Sequence, residues 1–245
     1  MNYYISGSSG FIGTAIKNHL LAKGNDVYTI PRDRSIKQLT GLFNYANPDY
    51  IIHLSSYGNH HYQDNFIEMV RANITGTYNL LEAAKDFSYK KFYNFTTSSV
   101  MLKDQTHYSI TKFCGEQLSK MYANVVNIRP YSVYGPGEAD HRFIPTVIRC
   151  LNSGEEMTLD VSATHAWIYI DDLVMAMFLG ETEMGGMCVT NESIVTILEQ
   201  ISGKKLKYIQ GIMRGYDSNN WVQPKPICYT SLYEGLKQTY EYYTK

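Results

Sequence analysis

The stretch Ile5-Ser-Gly-Ser-Ser-Gly-Phe-Ile-Gly13 follows a short apolar run and precedes a helical pattern. A missing Cβ at Gly7, Gly10 and Gly13 lets the backbone bend tightly, approach a pyrophosphate and pack helix against strand. The exposed amides at the start of the helix suit a bound anion. The spacing therefore predicts a dinucleotide-binding turn, although a glycine triplet alone is equally typical of an ordinary turn.

Apolar strand patterns alternate with helical patterns along the first half of the chain. The predicted strands are 2–6, 26–30, 49–54, 91–97 and 124–129, and the predicted helices are 11–23, 35–46, 64–86 and 108–122. This alternation predicts an α/β fold, a Rossmann-type doubly wound parallel sheet with helices on both faces. Ligands of such a sheet bind beyond the carboxyl ends of its strands.

The alternation of strands and helices changes after Pro130, where a Gly135-Pro136-Gly137 turn precedes a predicted helix at 143–153 and a strand at 156–160. We therefore expect a dinucleotide-binding domain over 1–130 and a small α+β substrate-binding cap over 131–245. The segment 166–180 is too apolar to lie exposed, so we expect it to return to the first domain.

The composition excludes several classes of protein. The chain has 245 residues, is 44% hydrophobic and 18% charged, and carries a formal net charge of -1. These values are typical of a globular protein without a nucleic-acid or membrane partner. The first strand leaves no room for a signal peptide, and no apolar run is long enough to span a membrane. Four widely spaced cysteines predict reduced thiols, a cytoplasmic location and no metal site.

A second motif, Tyr108-Ser-Ile-Thr-Lys112, lies on a predicted helix. Residues four apart project from one helix face, so the ammonium of Lys112 would lower the pKa of Tyr108 towards proton exchange with a substrate hydroxyl. Thr97, at the end of the preceding strand, can hydrogen-bond the same substrate oxygen. A lone pair of this kind is often incidental, but together with the glycine turn it predicts a nicotinamide-dependent redox enzyme.

Four further motifs carry a family resemblance. They are Ile52-His-Leu-Ser-Ser56, Asn73-Ile-Thr-Gly-Thr-Tyr-Asn-Leu-Leu-Glu-Ala-Ala84, Arg129-Pro-Tyr-Ser-Val-Tyr-Gly-Pro136 and Trp167-Ile-Tyr-Ile-Asp-Asp-Leu-Val174. With the two motifs above, they make the chain resemble, nearly end to end, an extended short-chain dehydrogenase/reductase of the NAD-dependent epimerase/dehydratase family.

The resemblance implies specific roles. Tyr108 is the acid/base, Lys112 tunes its pKa and anchors the ribose, and Thr97 is the hydroxyl partner. The implied cofactor-binding residues are Gly7, Gly10, Phe11, Ile12, Gly13, Arg32, Leu54, Ser55, Ser56, Asn73, Tyr108, Lys112, Tyr131 and Val133. A nucleotide-diphosphate sugar would be held by Ser98, Ser99, His165 and Arg214.

The resemblance also implies a homodimer. Helices 64–86 and 108–122 match those that pair between subunits, and the seam would be formed by Phe66, Val70, Tyr78, Phe113, Leu118 and Met121. The alternative is that these side chains all face the sheet of their own subunit.

Three departures from the family pattern affect ligand binding. His165-Ala166 stands where the family usually has Arg-Asp, and the strand that usually follows the second one is missing. Pro31 occupies the position of the acidic residue that binds the ribose of NAD, and Arg32 follows it. The cofactor is therefore NADP or NAD, with Arg32 favouring NADP unless it is only a loop charge.

The reaction type follows by subtraction. Family dehydratases carry Asp-Glu after the active-site threonine, and this chain has Ser98 and Ser99 there. Elimination is thus disfavoured, which leaves redox at C4 of the sugar, by a 4-epimerase or a 4-ketosugar reductase. Arg32 leans towards the reductase. The alternatives are a non-catalytic dinucleotide-binding sensor or scaffold, and a generic ketone reductase.

Overall fold

The computed structural model describes residues 1–60, 62–211 and 224–245. The chain forms two compact units, Met1–Arg129 and Pro130–Lys245, and residues 166–180 fall in the second. The functional division into a cofactor domain and a cap, with 166–180 returning to the former, stays a prediction.

The first unit is built on five parallel strands. In spatial order they are β2 (Asp26–Ile30), β1 (Asn2–Ser6), β3 (Tyr50–His53), β4 (Lys91–Phe95) and β5 (Val125–Pro130). The register pairs Ile5 with Thr29 on one side and with Ile52 on the other. The predicted Rossmann-type parallel sheet is therefore confirmed.

Helices flank this sheet, and an aromatic cluster fixes the packing of one of them. The helices are α1 (Phe11–Ala22), α2 (Ile36–Tyr45), α3 (Phe66–Val70), α4 (Gly76–Ala84) and α5 (His107–Ser119). Tyr4 on β1 is fully buried and lies edge-on to Phe43 of α2, with ring centroids 5.1 Å apart. Its hydroxyl donates to the carbonyl oxygens of Leu42 and Ala46, so the polar group keeps hydrogen-bond partners although the ring is buried.

Among the described residues, the sheet ends at β2, on the side where the sequence predicted a missing strand. The full dinucleotide-binding order is 3-2-1-4-5-6, and removal of its third strand gives the order observed here. The chain passes from β2 to α2 through Pro31–Ser35 alone. This short connection brings Arg32 and Arg34 directly beyond the carboxyl end of β2.

The second unit contains two small sheets. Strands β10 (Met187–Thr190), β8 (Thr164–Tyr169) and β6 (Ser132–Tyr134) form one, and β11 (Lys207–Gln210) pairs with β7 (Glu156–Leu159) in the other. The remaining elements are α6 (Phe143–Ser153), α7 (Ile170–Leu179), β9 (Glu183–Met184), α8 (Asn191–Ser202) and α9 (Leu232–Tyr243). The mixture confirms the predicted α+β character. Within the described ranges, every helix is too short or too polar to cross a membrane.

The continuous helix predicted at 64–86 is interrupted. Between α3 and α4, residues Arg71–Thr75 form a π-helical turn, one residue wider than an α turn. The Asn73 side chain explains it: its Oδ1 accepts from the Tyr57 amide at 2.9 Å, and its Nδ2 donates to the Tyr57 carbonyl at 2.8 Å and to Thr111 Oγ1 at 3.0 Å. Tertiary hydrogen bonds thus override the local helical pattern.

Helix α5 packs directly against this widened turn at Gly115. A Cβ at that position would lie 2.6 Å from the Asn73 carbonyl oxygen, closer than real Cβ atoms approach. Only glycine lets the two helices come this close, and α5 carries Tyr108 and Lys112.

We predict that Gly115→Ala destabilises the protein by about 1–3 kcal/mol, because the added methyl group must push α5 away from Asn73. Gly41→Ala is the matched control, since Gly41 lies in α2 with no atom within 4 Å of its Cβ position. There the higher helix propensity of alanine should stabilise by about 0.5–1 kcal/mol. Urea unfolding measures both changes, and a neutral or stabilising Gly115→Ala would contradict the packing described.

Candidate functional site

The glycine turn has the geometry of a close-approach loop. Gly7 has a φ of +72°, and a Cβ there would lie 2.9 Å from the Ser55 amide nitrogen. The Gly10 amide donates to the Gly7 carbonyl at 3.0 Å, and a Cβ on Gly13 would overlap that same carbonyl. The turn therefore excludes side chains at Gly7 and Gly13, and the first turn of α1 carries no acidic side chain that would repel an anion.

An open cleft lies beyond the carboxyl ends of β1, β2 and β3. It is lined by Arg32, Ser55 and Ser56 of the predicted set, together with residues that the sequence did not single out, including Ser6, His53, Tyr57 and Glu68. At its rim Arg71 lies 3.4 Å from the Asp33 carboxylate and 3.7 Å from that of Glu68.

The start of α5 is fixed by a capping box. Thr106 Oγ1 accepts from the Ser109 amide at 3.1 Å, and Ser109 Oγ accepts from the Thr106 amide at 2.8 Å. These two hydrogen bonds fix the start of the helix at His107. Tyr108, which is half-buried, therefore lies in the first turn.

Lys112 is buried one turn further along α5. Its Nζ donates to the carbonyl oxygen of Phe95, the last residue of β4, at 2.7 Å. Loss of solvation lowers the pKa of Lys112 to about 8, although the nearby negative charge of Glu116 acts in the opposite direction. The ammonium is therefore hydrogen-bonded at the carboxyl end of the sheet, and its pKa lies close to physiological pH.

The predicted hydroxyl partner follows the same strand. Thr97 caps a short 3₁₀ turn, Ser98–Met101, by accepting from the Ser99 amide at 3.2 Å. Its own hydroxyl donates to Ser99 Oγ at 3.2 Å, and Ser98 is buried. Hydroxyl groups thus cluster at the end of β4, beside the residue whose carbonyl holds Lys112.

The other predicted residues fall into three groups. Phe11 and Ile12 are half-buried at the start of α1, and Leu54 follows β3 with its amide bonded to Ser6. Tyr131, Val133 and His165 belong to the second unit, where the His165 ring lies 5.3 Å from that of Trp167. Arg214 lies outside the described residues.

His53 is a buried site residue to which the sequence analysis assigned no role. Its ring lies at the end of β3, where burial first and the Lys112 charge second lower the pKa of the imidazole to about 3. It is therefore neutral at physiological pH. The signal for it was present in the motif Ile52-His-Leu-Ser-Ser56, which contains one ionisable residue among apolar and hydroxyl groups.

The residues of the first unit fit a dinucleotide. The glycine turn packs so closely that a Cβ at Gly7 or Gly13 would meet backbone atoms, and Ser55 Oγ is buried beside the cleft with no hydrogen-bond partner among the described residues. A buried hydroxyl without a partner is uncommon, and in the lining of this cleft a bound polar ligand would supply the partner of Ser55. Across the described part of the chain, no group of three His, Cys, Asp or Glu side chains is placed to hold a metal ion.

Comparison with known proteins identifies relatives of the chain. Residues 3–183 match the model of the NAD dependent epimerase/dehydratase family. CDP-abequose synthase of Salmonella typhimurium is 30% identical over 203 residues, which cover 70% of this chain and 67% of that protein. UDP-glucuronate 4-epimerase of Thermodesulfobacterium geofontis is 27% identical over 267 aligned positions, covering 84% and 83% of the two chains.

The fold is shared with solved structures. UDP-glucuronic acid 4-epimerase from Bacillus cereus, in complex with UDP-glucuronic acid and NAD, superposes with a TM-score of 0.78 at 23% identity and covers 100% of this chain and 99% of that one. UDP-glucose 4-epimerase from Thermotoga maritima gives a TM-score of 0.79 at 21% identity, with the same coverage. The fold, the site and the match over residues 3–183 agree, and the chain belongs to the NAD dependent epimerase/dehydratase family.

Proposed function

We propose that this protein is a nicotinamide-dependent enzyme that carries out redox at C4 of a nucleotide-diphosphate sugar, as a 4-epimerase or a 4-ketosugar reductase. One observation carries the proposal. Tyr108 and Lys112 share α5, and Lys112 is anchored to Phe95 at the end of β4, two residues before Thr97. Two of the relatives, CDP-abequose synthase and UDP-glucuronate 4-epimerase, are named for nucleotide sugars and support the same substrate class.

We assign the proton chemistry to Tyr108 and Lys112 of α5 and to Thr97, which follows β4. The Tyr108 phenol exchanges a proton with the substrate oxygen, and the Thr97 hydroxyl turns from Ser99 Oγ to donate a hydrogen bond to that oxygen. The buried Lys112 charge stabilises the phenolate, because the interaction between the two charges is stronger away from water. When bound, the nicotinamide supplies hydride transfer. The cofactor would be held by the glycine turn, Ser55 and Lys112.

Ser98 and Ser99 support redox rather than elimination. Serine hydroxyls are poor acids and bases at neutral pH, and both are already committed near the end of β4: Ser98 is buried, and Ser99 accepts from Thr97. For the diphosphate, Arg214 and His165 remain predicted contacts.

We expect Tyr108→Phe to lower kcat on the preferred nucleotide sugar by at least about a hundredfold, since the proton-transferring group alone is removed. The affinity for the cofactor should stay within about threefold, because Lys112 and the glycine turn are unchanged. A panel of UDP-, CDP- and dTDP-hexoses and their 4-keto forms provides the substrate, and calorimetry gives the cofactor affinity.

Tyr122→Phe is the matched control, since the Tyr122 hydroxyl bonds Glu82 of α4 and neither residue lies at the carboxyl end of a strand. Retention of activity within a few-fold by Tyr108→Phe would contradict the assigned mechanism. If the parent protein bound a cofactor but turned over no substrate, the sensor hypothesis would replace the enzyme. Equal turnover of simple ketones would favour a generic reductase.

We further propose a preference for NADP(H) over NAD(H). Arg32 and Arg34 are exposed at the rim of the cleft, Pro31 provides no carboxylate, and the Asp33 carboxylate is paired with Arg71. Arg32→Ala should weaken NADPH binding by about tenfold and leave NADH within about twofold. Lys23→Ala removes an equal charge outside this cleft and should change neither. Equal calorimetric affinities of the parent for both cofactors would contradict the preference.

We also propose a homodimer formed through α3 to α5. Phe66, Tyr78, Phe113 and Met121 are exposed and Val70 and Leu118 are half-buried, so these six side chains do not all face the sheet of their own subunit. Such an unpaired apolar seam indicates an interface.

Light scattering should give twice the 28.0 kDa chain mass for the parent. Phe113→Glu should shift the protein to monomer by burying a charge in the seam. Leu179→Glu, at an exposed apolar position of α7, should remain a dimer. A parent that is monomeric at micromolar concentration would contradict the proposal.

A further inference from the structure

The buried polar groups of the first unit form a continuous hydrogen-bonded chain. It runs from the end of β1, through β3 and the π-helical turn, to α5. Ser6, His53, Thr77, Asn73 and Thr111 are each at most 3% exposed, so water does not compete for their bonds. Each end of the chain touches a segment to which the proposed function assigns a role.

Donor counting at Ser6 fixes one side of His53. Ser6 Oγ accepts from the Ser55 amide at 3.2 Å, and it shares the Leu54 amide, also at 3.2 Å, with the Ser6 carbonyl at 3.1 Å. With amide donors directed at both lone pairs of the hydroxyl oxygen, the hydroxyl hydrogen is the group left to form a further bond. Ser6 Oγ lies 2.6 Å from His53 Nδ1, which is therefore the acceptor and carries no hydrogen.

Donor counting at Thr77 fixes the other side independently. Thr77 Oγ1 donates its hydrogen to the Asn73 carbonyl at 2.8 Å, because a carbonyl oxygen can only accept. Thr77 Oγ1 must then accept from His53 Nε2, which lies 3.0 Å away and carries the hydrogen. Both ends agree on the neutral Nε2–H tautomer.

Asn73 extends the chain to the catalytic helix. Its Nδ2 donates to Thr111 Oγ1 at 3.0 Å, and the Thr111 hydroxyl donates to the Tyr108 carbonyl at 2.9 Å. The two sets of bonds meet at Asn73, one at its backbone carbonyl and the other at its side-chain amide, and the bonds within each set polarise one another. The first link also orders the amides of Leu54 and Ser55, against which Gly7 packs.

We propose that His53, as the neutral Nε2–H tautomer, and Thr77 are positioning residues that couple the cofactor loop to the helix bearing Tyr108 and Lys112. Neither touches the reacting atoms. Their effect is to fix the positions of the ends of β1 and β3 relative to α5. Ordering of the cofactor loop by a bound cofactor then also orders α5. The consequence for turnover rests on the proposed function, whereas the tautomer and the coupling do not.

Nitrogen NMR of the histidine rings tests the tautomer. His53 should show a protonated Nε2 and an unprotonated Nδ1 throughout pH 6 to 8. A protonated Nδ1, or an imidazolium in this range, would overturn the proposal.

Hydrogen exchange with and without NADPH or NADH tests the coupling. The cofactor should slow exchange of α5 amides in the parent and in Thr77→Ser, which keeps the hydroxyl, and should fail to do so in Thr77→Val. On a turned-over substrate, Thr77→Val should lower kcat by about tenfold with KM within about twofold, because the His53 N–H is left without an acceptor. Thr77→Ser should restore kcat to within about twofold.

Thr96→Val is the matched control, since Thr96 is also buried and its Oγ1 has no partner in the described part of the chain. It should behave as the parent in both assays. Cofactor protection of α5 that survives in Thr77→Val, or equal effects of Thr77→Val and Thr96→Val, would overturn the coupling. Absence of turnover in the parent would overturn the proposed function alone, because hydrogen exchange still decides the coupling.

Discussion

The fixed position of the Lys112 ammonium is the constraint on which the site depends. Burial alone would favour its neutral form, and the depressed pKa of Lys112, about 8, records that cost. The Phe95 carbonyl offsets part of it with a hydrogen bond of 2.7 Å. Because Phe95 ends β4, the same bond locates the charge at the sheet edge where ligands of this fold bind. The cost in folding free energy of burying the Lys112 ammonium is thus tolerated, because other contacts in the first unit offset it.

Close packing of α5 makes that placement possible. Gly115 allows the helix to approach Asn73, and Asn73 distorts its own helix into a π turn in order to bond both Tyr57 and Thr111. The Asn73 side chain thereby fixes the position of α5 against its own helix. The bonds of the buried His53 to Ser6 of β1 and to Thr77 of α4 extend this set of contacts, so the end of β1 and α5 belong to one polar network.

Much of this could be predicted from the sequence because its signals are local. The alternation of apolar runs predicted β1 and β2 with the observed bounds, and the Thr106 capping box fits a helix beginning within a residue of the predicted one. The π turn could not be predicted, since the apolar spacing continues through Asn73 and the cause lies in Tyr57 and Thr111, 16 and 38 residues away. The bonds of His53 could not be predicted either, because its partners Ser6 and Thr77 lie in two other elements, 47 and 24 residues away.

Transfer of deuterium tests the central claim most directly. A nucleotide sugar labelled with deuterium at C4, incubated with oxidised cofactor and the parent protein, should pass the label to the nicotinamide ring, and Tyr108→Phe should pass none within the same time. Mass spectrometry of the recovered cofactor measures the label. Recovery of unlabelled cofactor from every UDP-, CDP- and dTDP-hexose, with label accepted from a simple secondary alcohol, would contradict the account.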